Sequence, residues 1–319
     1  MNQKISAVVL AAGASKRMKS QRSKVLHKLA GRPLLHYPVL AAAGAGASQV
    51  IVVASPSNRA DVEACLGGMV GVDWEIAIQE EPRGTGHAAQ MALPRLRGDS
   101  VLLLCGDTPL IQGETLRALI DAHDKGGCLL SMLSCVLDEP HGYGRILRNP
   151  EGYVRAVREQ RDLAADELGI GEVNAGIYYG SGDFFKEALK SLTNHNAQGE
   201  YYATDIVELA AIQQRVLGVH ADPAVLQGIN DRVQLDQLEQ LLFQRIADRH
   251  RRSGVTVHSG ARVDDTVSVG ADSTIHAGVE LRGTTQIAGD CEIETGSVIT
   301  DSEISAGVHV KPYCVISQS

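Results

Sequence analysis

The chain has 319 residues, 44% hydrophobic and 21% charged, which is enough for one large or two modest domains with a buried core. A net charge of −8 gives no basic footprint, so nucleic acid is excluded as an expected partner, while a phosphate-bearing substrate needs only a few placed cations. No stretch approaches the roughly 20 apolar residues of a membrane span; no membrane association and no signal peptide are expected, and six scattered cysteines without a CxxC pair fit reduced thiols in a cytoplasmic protein.

Short β-rich runs alternate with helical stretches from the start. Ser6–Gly13 is expected as a strand ending in a glycine turn, Pro33–Ala47 as a helix, and Gln49–Ser55 as the next strand. Asp61–Met69 follows as helix, Trp74–Gln79 as strand, Thr85–Leu96 as helix, Val101–Asp107 as strand and Gly113–Gly127 as helix. Continuous apolar strands alternating with helices imply an α/β, Rossmann-like domain with a mixed, mostly parallel sheet covered on both faces. In such sheets ligands bind beyond the carboxyl ends of the strands. The residues after Val9-Leu10 and after Leu104-Cys105 therefore become the first candidates.

From Asp231 to Arg252 the pattern becomes one amphipathic helix without proline or glycine, with Val233, Leu235, Leu238, Leu242 and Ile246 near helical spacing. A six-residue period then takes over, with Val257, Val263, Val269, Ile275, Leu281, Ile287, Ile293 and Ile299 as rungs. The ladder slips by one residue and resumes at Ile304, Val310 and Ile316. Two positions before each rung sits a small or β-branched residue such as Val255, Ser273, Cys291 or Ser297. This period marks a short parallel β-helix. The expected domains are 1–230, a linker helix 231–252, and the β-helix 253–319.

The strongest chemical signal is Leu10-Ala11-Ala12-Gly13-Ala-Ser-Lys-Arg17-Met18, followed by Ser23-Lys24-Val25-Leu26. A strand opening into small residues lets backbone N–H groups approach phosphates or a base edge, and Arg17 and Lys24 add positive charge. The spacing matches neither the Walker loop nor the dinucleotide GxGxxG. It resembles the sugar-nucleotide pyrophosphorylase signature, with Ser23 where that signature has proline. Further motifs follow in the expected order: Gln79 and Gly84-Thr85-Gly86-His87-Ala88, Gly106-Asp107-Thr108-Pro109, Gly142-Tyr143-Gly144-Arg145, Glu159, Asn174-Ala-Gly, Asn196 to Asp205, and Gly228-Ile229-Asn230. With the hexapeptide ladder, the whole is similar to the bacterial bifunctional N-acetylglucosamine-1-phosphate uridylyltransferase/glucosamine-1-phosphate acetyltransferases, and the β-helix is expected to be left-handed.

The resemblance implies that Leu10, Ala11, Ala12, Gly13, Gln79, Gly84, Thr85 and Gly106 hold the nucleotide. Asp107 and Asn230 would hold Mg²⁺, and Gly144, Glu159 and Asn174 the sugar. Arg17 and Lys24 would be the catalytic cations. The implied reaction joins UTP to N-acetylglucosamine 1-phosphate, forming UDP-N-acetylglucosamine and pyrophosphate for cell-wall and lipopolysaccharide precursors. His87 is expected to be structural, and Tyr201-Tyr202 either lines the sugar pocket or packs. Relatives carry a longer β-helix with an acetyltransferase site in its later coils, which has no counterpart here, so acetyl transfer is expected to be absent. Assembly into a homotrimer through the β-helix is expected. Alternatives in the same fold are another sugar nucleotidyltransferase, such as one using glucose 1-phosphate, or a non-catalytic regulatory subunit.

Overall fold

A computed structural model describes residues 4–13 and 16–319 of the chain. They fall into two compact units, Met1–His27 with Leu34–Asn230, and Lys28–Pro33 with Asp231–Ser319. Among the described residues, no helix is long and apolar enough to cross a membrane.

The first unit is built on a nine-stranded sheet: β1 Ile5–Leu10, β2 Ala47–Ala54, β3 Trp74–Ile78, β4 Ser100–Cys105, β5 Leu130–Val136, β6 Arg145–Arg148, β7 Val154–Arg158, β8 Glu172–Ser181 and β9 Val216–His220. Its strand order is β3-β2-β1-β4-β8-β5-β9-β7-β6. The first four strands are parallel, as their unbroken apolar runs require. Beyond β4 the sheet turns antiparallel through β8, so the complete sheet is mixed. Alternate side chains of one strand serve two cores. Ala7, Val9, Val50 and Val52 pack with helices α1 His36–Gly44, α2 Arg59–Gly67 and α4 Gly113–Gly126. Val8, Ile51, Val53 and Leu103 pack with α3 Thr85–Ala92, α5 Gly182–Ser191 and α6 Asp205–Gln213.

Helix α1 is shorter than its sequence pattern at both ends. Pro33 pairs with Lys28 in a hairpin, and Gly46 at φ +99° turns the chain straight into β2. After α6 and β9 comes one further turn of helix, α7 Pro223–Leu226.

In the second unit, helix α8 Arg232–Arg252 starts at Asp231, whose carboxylate accepts from Gln234 N at 2.8 Å. Leu238, Leu242, Ile246 and His250 are buried at four-residue spacing, whereas Val233 is exposed. The Lys28–Pro33 hairpin belongs here, with Ala30 and Gly31 both at positive φ as a tight two-residue turn demands. Asp265 N donates to Ala30 O at 2.9 Å and Arg32 Nε to Asp265 Oδ2 at 2.6 Å.

The remainder is a short left-handed parallel β-helix of three strand ladders. Val257, Ile275, Ile293 and Val310 stack in one ladder, stepping by 18, 18 and then 17 residues, and all four are buried. The short last step is the slip seen in the hexad pattern. The small residues before the rungs tie coils together: Ser273 Oγ accepts from Cys291 N at 3.1 Å and donates to Ala288 O at 2.9 Å.

Candidate functional site

The parallel strands run in the order β3-β2-β1-β4, so the chain leaves β1 towards one side and returns to the other at β4. The crevice between the carboxyl ends of β1 and β4 is where an open α/β sheet binds ligands. Leu10 is level with both Val53 and Cys105. Just past it, Ala11 N donates to Val53 O at 2.8 Å, and Gly106 N donates to Leu10 O at 2.9 Å. A Cβ on residue 106 would stand 2.8 Å from that same carbonyl, so only glycine fits where the two loops meet.

The charged residues converge on this crevice. Lys24 opens a short 3₁₀ turn, Lys24–Leu26, and its ammonium is ion-paired with the Asp107 carboxylate. Arg17 Nη2 donates to Asn230 Oδ1 at 2.7 Å, and Ile229 N donates to Asp107 O at 3.0 Å, which brings the Asn230 loop beside Asp107. One carboxylate and one amide oxygen, each facing a cation here, are a hard-oxygen pair. That donor set suits Mg²⁺, which takes one or two protein oxygens and completes its shell with water and phosphate oxygens. Among the described residues, no cluster of three or more His, Cys, Asp or Glu side chains offers a closed metal cage.

A cavity of about 470 Å³ opens at the same place, lined by Leu10, Ala11, Ala12, Gly13, Lys24, Gln79, Gly84, Thr85, Cys105, Asp107 and Glu200. Buried Gln79 donates through Nε2 to Gly84 O at 3.0 Å, and the same nitrogen lies 3.1 Å from His87 Nδ1. His87 therefore orients the amide. Gly84 has φ +105°, and a Cβ there would meet Tyr201 O at 2.5 Å. Gly86 N donates to Tyr201 O at 2.7 Å and Ala203 N to Thr85 Oγ1 at 3.0 Å, so α3 starts against the 196–205 segment. Tyr202 is buried, and its hydroxyl accepts from Gln198 Nε2 at 2.7 Å.

Gly144, Glu159 and Asn174 form a second group. Asn174 N donates to Gly144 O at 2.9 Å, and a Cβ on Gly144 would lie 3.7 Å from the Glu159 carboxyl carbon. Asn174 Nδ2 donates to Tyr178 Oη at 2.7 Å, and Thr204 Oγ1 to Glu159 Oε1 at 3.1 Å. Burial pushes the Glu159 carboxyl above its ordinary range; the Thr204 bond opposes this and Asp162 adds to it. Glu159 lines a separate cavity of about 380 Å³ with Asp162, His195, Tyr202 and Asp205. Cys105 lines the first cavity, and its Sγ is 3.8 Å from the carbonyl of Gly176, two residues after Asn174. Burial, with Asp107 adding, pushes the Cys105 thiol up to about 12, so it stays a neutral wall and not a nucleophile.

Two contributors escape the sequence reading. Thr204 lies inside the 196–205 motif, which was a usable signal. Asn58 has no motif around it, yet its Nδ2 donates to Ala11 O at 2.9 Å and to Ser23 Oγ at 3.1 Å.

Comparison with known proteins finds a matching family model and similar relatives. Residues 7–164 match the MobA-like NTP transferase domain. The chain is 48% identical over 322 residues to the bifunctional protein GlmU of Sorangium cellulosum, covering 99% of the chain and 68% of that protein. It is 42% identical over 306 residues to the GlmU of Geobacter sulfurreducens, covering 94% and 64%. For the GlmU of an Anaeromyxobacter strain the values are 41% over 320 residues, 99% and 65%. The chain thus spans about two thirds of the length of these relatives.

Proposed function

Because the chain belongs to the bifunctional GlmU family, we propose that it is a sugar-1-phosphate uridylyltransferase that makes UDP-N-acetylglucosamine and pyrophosphate from UTP and N-acetylglucosamine 1-phosphate. The observation that carries the reading is the meeting of Lys24, Asp107, Arg17 and Asn230 past the ends of β1 and β4. A phosphate oxygen of the sugar phosphate attacks the α-phosphorus of UTP, and the bond to the leaving pyrophosphate breaks. Arg17 and Lys24 set positive charge where the pyrophosphate develops it. The backbone from Leu10 to Gly13, with Gly84, Thr85 and Gly106, gives the nucleotide a close-fitting bed, and Gln79 presents its amide to the base edge. Glu159 and Asn174 offer an acceptor and an amide to the sugar hydroxyls and N-acyl group beside Gly144. Asp107 and Asn230 would hold Mg²⁺, which when bound supplies Lewis-acid charge to the phosphates. Positioning and charge carry the catalysis, with no protein nucleophile. The β-helix homotrimer is part of the proposal, and sedimentation tests it.

The test follows pyrophosphate release from UTP with N-acetylglucosamine 1-phosphate, glucose 1-phosphate, or glucosamine 1-phosphate with and without acetyl-CoA. Release fastest with the acetylated sugar, and abolished by a chelator, is the expected result. Release with glucose 1-phosphate alone would overturn the substrate, and no release with any pair would overturn the enzyme. The acetyl-CoA arm reads the acetyl transfer that the sequence reading expects to be absent.

A further inference from the structure

We propose that Asn58 is a positioning residue that holds the Lys24 segment and the loop after β1 in register for the transfer. Asn58 is 5% exposed and stands at the N-cap of α2, yet its side chain makes no bond to that helix. An asparagine at this place ordinarily caps its own helix. Here Oδ1 accepts from Ser55 N at 2.9 Å and Ser55 Oγ at 3.1 Å, while Nδ2 donates to Ala11 O at 2.9 Å and Ser23 Oγ at 3.1 Å. One buried amide, with both of its polar atoms used, thus ties together the exits of β1 and β2 and the residue before Lys24.

The tie has something to hold. The turn carrying Lys24 is a three-residue 3₁₀ helix, closed by Leu26 N donating to Ser23 O at 3.0 Å and His27 N to Lys24 O at 3.1 Å, and bonds of this kind have poorer geometry than those of an α-helix. Ser23 has φ −55° and ψ 139°, a conformation that proline adopts without strain. Among the described residues its N–H donates no hydrogen bond. A side-chain bond from Asn58 therefore does for Ser23 what a proline ring would do covalently. It restricts the backbone on which the Lys24 ammonium is delivered to Asp107. The inference rests on the reading of Lys24 as a catalytic cation.

Four variants test it: Ser23→Ala, Ser23→Pro, Asn58→Ala and the Asn58→Ala/Ser23→Pro double. Kinetics are paired with hydrogen exchange of the peptide covering residues 20–26. Ser23→Ala should lower kcat by about fivefold, the worth of one ordinary hydrogen bond. Asn58→Ala should lower it by about 30-fold through misplacement of the charge. KM for UTP should stay within about twofold in each, because the remaining uniform binding contacts are kept. Ser23→Pro should match the wild type, and in the double variant it should recover part of the Asn58→Ala loss, with exchange in 20–26 slowing in parallel. A general loss of packing would not be repaired by a proline 35 positions away in the chain. Ser23→Pro as impaired as Ser23→Ala, or Asn58→Ala with unchanged kcat, would overturn the proposal. Should the wild type transfer nothing, the reading of the site fails. Exchange then still decides the tether: faster in Asn58→Ala supports it, unchanged overturns it.

Discussion

In the parallel half of the nine-stranded sheet the candidate residues gather at strand exits: Leu10 ends β1 and Ala11 to Gly13 follow it, Gln79 comes after β3, and Gly106 and Asp107 after β4. In the antiparallel half the candidates sit on the strands or directly at their ends. Asn174 is within β8, Glu159 follows β7 by one residue, and Gly144 precedes β6 by one. Parallel strands all end at one edge, so their loops can gather backbone N–H groups and unlike charges at one point. Antiparallel strands offer side chains along their length. The register of β8 against β5 shifts between Asn174, opposite Ser134, and Tyr178, opposite Met132, so β8 carries two more residues than its partner over that step. The first geometry suits a polyphosphate, the second a small neutral ring.

Breaking the parallel half should cost most. Asp107→Ala is expected to lower kcat by about 10³-fold, as for the loss of a charge-positioning group, read by pyrophosphate release at saturating substrates. Gly84→Ala should cost about 2 kcal/mol in denaturant unfolding, since the residue is at φ +105° and its new Cβ meets Tyr201 O.

The antiparallel half should respond through protons and single bonds. Burial, with Glu159, Glu208 and Asp162 adding and Arg158 opposing, raises the Asp205 carboxyl from an ordinary 3.8 to about 6. The folded chain keeps that proton where the unfolded chain has lost it, so this group's contribution falls as pH rises from about 4 to about 6. Asp205→Asn should flatten that slope in thermal melts across the same window. Smallest of all, Tyr178→Phe removes the acceptor for Asn174 Nδ2 and should raise KM for the sugar phosphate by about fivefold, one hydrogen bond's worth.

The two halves also differ in how far they could be read beforehand. The parallel half announces itself in runs such as Val101-Leu102-Leu103-Leu104, all buried. Between 128 and 230 no local pattern in the sequence marks an element, and the reason is physical. Strands such as β6, Arg-Ile-Leu-Arg, and β7, Val-Arg-Ala-Val-Arg, mix charge with apolar residues over four or five positions. Arg145 is even buried, held by Tyr143 O and Gln160 Oε1, which no local pattern reveals. The β-helix is legible because its six-residue period repeats over eleven rungs, whereas the Lys28–Pro33 hairpin is too short to carry one. The family resemblance implies Asp107 and Asn230 as a pair, and the fold brings their loops together. Asn58 could not be found, because only the fold brings residues 11, 23 and 55 around it.

The division of labour between the halves is tested most directly by measuring both KM values in Glu159→Gln. The account predicts a KM for N-acetylglucosamine 1-phosphate raised about tenfold or more, the cost of a mispaired buried polar group, with KM for UTP within about twofold of wild type. A KM for UTP that rises while that for the sugar phosphate stays unchanged would contradict it.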